Sequence, residues 1–281
     1  MRHTLCIDYK KMFENIIEFT CDYIDKSNIK TLVLGMSGGI DSTLTAALAK
    51  EVCSRSHKDI RLEGRILNIE SDYVEMARAI LSSEAFCHRF ELNNMTDIYD
   101  NTSRFIINNF SSHDDLIRKG NIKARLRMIK LYDLAKQLQG WVLSTDNYTE
   151  YLLGFWTLHG DVGDYGMLQN LWKTEVYGLA NYLINKYNMD NMFCERDVMI
   201  ECIKAIPTDG LGISDSDFDQ IHPGYNKTHT SSEVYGEIDS ILLDHLNGGY
   251  FYNDSKIIQR YKETEFKRTN PFSIPREQIV G

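Results

Sequence analysis

The chain's 281 residues, 43% hydrophobic and 11% aromatic, suffice for one large domain or a domain with a small appendage. A net charge of −9 and a pI near 5.4 argue against nucleic acid as the main partner, because phosphate backbones are bound by a surplus of Lys and Arg. No apolar run approaches the ~20 residues that span a membrane, charges interrupt the N-terminal stretch where a signal peptide would be apolar, and the six scattered cysteines lack CxxC or zinc-finger spacing, so a soluble cytoplasmic protein with reduced thiols is expected.

Residues 9–25 carry apolar side chains at helical spacing (Met12, Ile16, Ile17, Phe19, Tyr23) and are predicted to form a helix. Residues 31–36 form a short apolar run of the kind that is buried on both faces of a parallel sheet. Residues 42–53 read as helix, 65–69 as strand, 73–83 as helix and 88–92 as strand. A helix over 122–138, a strand over 141–144 and helices starting near Tyr148 and Lys173 follow. This alternation predicts an α/β fold with a doubly wound parallel sheet flanked by helices, and ligands beyond the carboxyl ends of the strands. Past about Asp190 the pattern is rich in Asp, Ser, Gly and Tyr. A single domain over residues 1–281 is therefore expected, with a core over about 28–190 and an irregular C-terminal cap over about 191–281.

The strongest local signal is Gly35-Met36-Ser37-Gly38-Gly39-Ile40-Asp41-Ser42, between an apolar strand and a helix. Its small residues allow a turn whose N–H groups converge on an anion, with the positive end of the following helix behind them. Asp41 is expected to hold Mg²⁺, and Ser42 to cap the helix and donate to a phosphate. No GKS or GKT follows, so this is not a Walker loop. The segment resembles the pyrophosphate-binding loop of the N-type ATP pyrophosphatases, which adenylylate a carbonyl or carboxyl oxygen and release pyrophosphate.

A second set of segments narrows the resemblance. Residues 119–128 read KGNIKARLRM, residues 145–150 read TDNYTE, GFWTLHGDVGD comes next, and Leu171 and Lys173 complete the series. In this order they resemble the NAD synthetases, as do Pro207-Thr208-Asp209 and Phe266-Lys267-Arg268 further on. The resemblance implies ATP-dependent amidation of deamido-NAD with ammonia through an acyl-adenylate, giving NAD, AMP and pyrophosphate. It implies that residues 35–42 cradle the triphosphate, that Thr145, Lys173 and Thr208 contact ATP, and that Asp41 and Glu150 hold Mg²⁺. Arg125, Asp164 and Lys267 are the implied contacts to deamido-NAD, with Lys173 and Asp164 in catalytic roles. Read without the resemblance, Arg125 is a solvated charge on a basic helix face, Glu150 an exposed carboxylate and Lys173 a helix start.

The chain departs from the family's pattern in three places. The loop TLHGDVGD over residues 157–164 is one residue shorter, and Leu158 stands where the family has a lysine. Counting that loop from its right end puts Asp164 at the substrate-contacting aspartate, whereas counting from the left puts Tyr165 there. Phe266 replaces a histidine, and Asn68-Ile69-Glu70-Ser71 replaces a proline-and-glycine segment. Two readings from other classes stay open: a different amidating or tRNA-modifying ATP pyrophosphatase, and a non-catalytic nucleotide-binding relative. The length leaves no room for a glutamine-hydrolysing domain, so free ammonia, or ammonia delivered by another protein, is expected. A homodimer is also expected, because residues 148–158 and 176–187 carry more aromatic and aliphatic side chains than one sheet face needs.

Overall fold

Five parallel strands run in the order β3-β2-β1-β4-β5 in the computed structural model, which describes residues 3–107, 113–207 and 216–280. They are β1 Thr31–Gly35, β2 Arg61–Asn68, β3 Arg89–Asn94, β4 Gly140–Ser144 and the two-residue β5 Tyr165–Gly166. The helices before β4 are α1 Tyr9–Asp25, α2 Ile40–Arg55, α3 Tyr73–Phe86, α4 Thr96–Ile106 and α5 His113–Gln137. Those after it are α6 Tyr148–Leu153, α7 Lys173–Met189, α8 Phe193–Lys204, α9 Asp217–Ile221, α10 Ser231–Leu246, α11 Lys256–Glu263, α12 Glu265–Arg268 and α13 Arg276–Val280.

The central strand shows why this order forms. Leu32 and Leu34 point into the larger core with α1, α2 and α7, whereas Val33 points to the other face, against Val142 and Met128, Leu131 and Leu134 of α5. A strand buried on both faces must be apolar at every position, and each such side chain contributes roughly 1.5–3 kcal/mol on burial. β1 pairs with β2 on one side and with β4 on the other. The chain leaves β1 for β2 and returns to the opposite side for β4, so a crevice opens beyond the ends of these strands.

The predicted elements form, several with shifted bounds, such as β2, which starts at Arg61, and α5, which starts at His113, but three differences bear on the site. α4 was not expected; it buries only Tyr99 and Ser103, too sparse a face to read from the sequence. α6 stops at Leu153 instead of running on, because Gly154 adopts a left-handed φ of 66° and closes the helix. The segment expected to be irregular carries α8 and α10, whose Met199, Val234, Ile238 and Leu242 join the main core. Leu152, Tyr177, Leu179 and Leu183, part of the apolar surplus assigned to an interface, are buried in this chain's own core. No helix among the described residues is long and apolar enough to cross a membrane.

Candidate active site

Beyond the ends of β1, β2 and β4 lies a cavity of about 770 Å³, lined at its floor by Gly35, Leu67, Asn68 and Thr145. The glycine loop forms one wall. Gly38 sits at φ 78°, and a Cβ there would lie 2.7 Å from both Ala79 N and Glu75 O, so only glycine lets the turn close against α3. Arg78 of α3 donates to Gly38 O at 3.2 Å and pins the turn. Gly39 is the N-cap of α2 and offers no side-chain cap, which leaves the first N–H groups of the helix facing the cavity. Ser42 does not cap, contrary to expectation: it lies three residues inside, its hydroxyl 2.9 Å from that of Ser37 and donating to Gly39 O at 3.1 Å. Six of the expected loop residues besides Asp41, namely Gly35, Met36, Ser37, Gly39, Ile40 and Ser42, line the cavity, while Gly38 supports them from behind.

Lys173 is the electrostatic centre. Its ammonium is buried, donating to Asp41 Oδ2 at 2.5 Å and to Glu150 Oε1 at 2.8 Å. Burial alone would lower its pKa, but Asp41 and then Glu150 overturn that and hold it well above the usual lysine value. Both carboxylates are fixed from behind. Asn147 donates to Asp41 Oδ1 at 2.9 Å, and it also caps α6 by accepting the Glu150 N–H at 3.0 Å. Glu150 returns its second oxygen to Asn147 N, closing a capping box that aims the other oxygen at Lys173.

The far side of the cavity carries charges of both signs. Asp161 faces it, accepting the Thr157 N–H at 2.7 Å; burial raises its pKa, although Thr157, Lys267 and Arg127 pull it down. Asp146, bonded to Ser144 at 3.0 Å, is pushed well above the carboxylate range by burial and then by Asp161 and Glu150. Lys267 donates to the carbonyls of Gly154 and Trp156 at 2.6 and 2.5 Å, and burial lowers its pKa. Arg127 donates to Leu67 O at 3.2 Å from the cavity-facing side of α5.

The structure thus gathers residues 35–42, Thr145, Glu150, Lys173 and Lys267 around one cavity. It does not bring Arg125 or Asp164 there. On α5 the cavity face is Asn121, Ala124, Arg127 and Met128; Arg125 lies off that face, exposed, donating to Leu158 O at 2.8 Å. Asp164 is exposed and occupied with the sheet edge, its Oδ2 accepting Val142 N at 2.9 Å just before β5 begins. Arg127 and Asp161 face the cavity, whereas Arg125 and Asp164, the expected contacts to deamido-NAD, lie exposed outside it. Thr208 lies outside the described residues.

Comparison with known proteins agrees with this fold. A family model described as NAD synthase matches residues 12–271. The chain is 31% identical over 271 residues to an NH(3)-dependent NAD(+) synthetase of Thermoplasma volcanium, covering 95% of this chain and 98% of that protein. Among solved structures, the NMN synthetase from Francisella tularensis superposes with a TM-score of 0.75 at 25% identity, covering 96% of this chain and 100% of that one. An NH3-dependent NAD synthetase from Campylobacter jejuni, at 22% identity and a TM-score of 0.68 over 96% of this chain and 100% of its own, shares the fold.

Proposed function

Because the chain belongs to the NAD synthase family, we propose that it amidates deamido-NAD with ammonia, consuming ATP and releasing NAD, AMP and pyrophosphate. The observation that carries this reading is Lys173, buried between Asp41 and Glu150 beside the glycine loop. The nicotinate carboxylate is unreactive at neutral pH, so an oxygen of it must first attack the α-phosphorus of ATP. The bond to pyrophosphate breaks and an acyl-adenylate forms. Ammonia then attacks the acyl carbon, loses a proton, and AMP departs.

Each residue has a task in this sequence. The open N–H groups of α2 and the loop hold the phosphates, and Lys173 neutralises the charge that builds on the departing pyrophosphate. Asp161, which faces the cavity and is made more basic by burial, takes the proton from nitrogen. Asp41 and Glu150 fit a hard cation, since Mg²⁺ uses one or two carboxylates and completes its shell with phosphates and water. Among the described residues no group of three or more His, Cys, Asp or Glu is placed to hold a metal ion. When bound, Mg²⁺ would supply further charge neutralisation on the triphosphate. All six cysteines are free thiols, which suits work in the cytoplasm.

The test is an assay with ATP, Mg²⁺, ammonium and deamido-NAD. One AMP and one pyrophosphate are expected for every NAD, with label from the carboxylate oxygen appearing in AMP. ADP and orthophosphate in their place would refute the adenylate route. The likeness to an NMN synthetase, together with Leu158 where the family has a lysine, favours a second reading in which the acceptor is nicotinate mononucleotide. Competition between the two acceptors in the same assay decides between them by the ratio of their kcat/KM values.

The proposed working unit is a homodimer that completes the acceptor pocket. Arg125 and Asp164, both outside the cavity, share one exposed surface: Arg125 bonds Leu158 O, Tyr132 donates to Val162 O at 3.1 Å, and Asp164 interacts with Tyr132. Ile129 on the same helix is 67% exposed. A second copy against this face would enclose a long acceptor between Arg125 and Asp164. An obligate contact of this kind buries more than ~2,000 Å². Sedimentation is expected to give twice the 32.5 kDa chain mass, and an active monomer at assay concentration would refute the shared pocket.

A further inference from the structure

Asp239 stands in the middle of α10, fully buried, far along the chain from the residues it touches. Its Oδ1 accepts the Thr149 hydroxyl at 2.6 Å, and its Oδ2 accepts both the Thr174 N–H at 2.8 Å and the Thr174 hydroxyl at 2.5 Å. The Thr149 oxygen in turn accepts the N–H of Lys173 at 2.9 Å. This small network therefore ends on the first two residues of α7 and on the residue preceding Glu150 in α6. One helical turn earlier on α10, the ring of Tyr235 lies 5.2 Å from Lys173 Nζ. α10 thus meets Lys173 twice, at its backbone through Asp239 and at its ammonium through Tyr235.

Packing alone does not account for a carboxylate at this position. An apolar side chain would fill the space without the cost of removing a charge from water. That cost is visible, since burial pushes the Asp239 carboxyl up to about 6 even though Thr149 and Thr174 draw it down. What the carboxylate provides is directional: two oxygens that take three donors from two different helices, with bonds stronger than those between neutral groups. It also lies against the positive N-terminal end of α7.

We propose that Asp239 is a positioning residue for the reaction: through Thr149 and Thr174 it sets α7 against α6, and so places Lys173 between Asp41 and Glu150. The inference goes beyond the reading of the site but rests on Lys173 acting on the ATP phosphates. A charge that stabilises a transition state must be placed closely, and a shift of ~1 Å can cost about 10²-fold in rate.

The experiment compares the full-length wild-type protein with Asp239→Asn, Thr149→Val, Thr149→Ser and the double variant D239N/T149V. Wild-type turnover tests the reading of the site, whereas the ratio of variant to wild type tests the positioning role. Asp239→Asn is expected to lower kcat by about 10- to 100-fold while KM for the nicotinate acceptor changes by less than about twofold. Thr149→Val is expected to lower kcat by roughly tenfold, and Thr149→Ser, which restores the hydroxyl, to recover most of that loss. Because both residues act in one network, the double variant should lose about as much as D239N alone. Should D239N fail to fold, the Thr149 pair decides the matter. The proposal is overturned if the foldable variants keep kcat within about twofold of wild type, or if Thr149→Ser loses as much as Thr149→Val.

Discussion

Replacing Lys173 with methionine is expected to lower kcat by about 10²–10³-fold, the usual effect of removing one donor aimed at developing charge. The length and volume of the side chain are kept, so the fold has no steric reason to change. What disappears is the ammonium that both Asp41 and Glu150 accept from, at 2.5 and 2.8 Å. Two carboxylates then face one another without the ammonium between them. Removing one partner of a fully buried pair costs about 3–5 kcal/mol. Here the cost should be smaller, because Asp41 and Glu150 keep 18% and 17% of their side-chain surface in contact with solvent. Lys173 itself has a folded pKa held above the ordinary lysine value by Asp41 and then Glu150, so the stability it contributes is fully present below the lysine range and is lost only as pH rises through the folded value. Thermal melts at about pH 5 and about pH 8, both below that range, should therefore show the deficit of the variant at both. A variant that kept normal turnover would remove Lys173 from the mechanism whatever its stability.

How much of this site was legible in the sequence depended on whether the chemistry was local. The glycine loop was, because strand, turn and helix are contiguous in the chain, although the closing of Gly38 against Glu75 and Ala79 of α3 was not. The pairing of Lys173 with Asp41 and Glu150 was legible only as shared function, since the contacts span 132 and 23 residues and exist only once β1 and β4 are neighbours. That Asp161 rather than Asp164 faces the cavity was not legible for a different reason. Counting TLHGDVGD from either end gave a candidate, but which carboxylate turns inward is decided by β5, whose start commits Asp164 to Val142. Arg127 had a readable signal in helical phase: Asn121, Ala124, Arg127 and Met128 share a face that Arg125 does not. α10 also had one, in the spacing of Val234, Ile238, Ile241 and Leu242 and in the Thr230–Glu233 capping box. Its Asp- and Ser-rich surroundings obscured both, and with them the buried Asp239.

Asp41→Asn is expected to lower turnover by about 10²–10³-fold and to raise the Mg²⁺ concentration needed for half-maximal rate. The substitution is nearly isosteric, and the amide can still meet Asn147, which now donates to Asp41 at 2.9 Å. Asp41 lies in the first turn of α2, where loss of a negative charge costs only about 0.3–1 kcal/mol against the helix dipole. The fold should therefore persist, with at most a few degrees lost from Tm. Two explanations of a lost rate then remain to be separated. If Asp41 serves only to hold Lys173, the variant should be slow at every Mg²⁺ concentration, with an unchanged half-saturation point. If it binds the cation, the amide offers a neutral oxygen in place of a charged one, and excess Mg²⁺ should recover part of the rate. Near-normal activity at low Mg²⁺ would withdraw Asp41 from the metal site, leaving Glu150 as the sole candidate ligand of the pair.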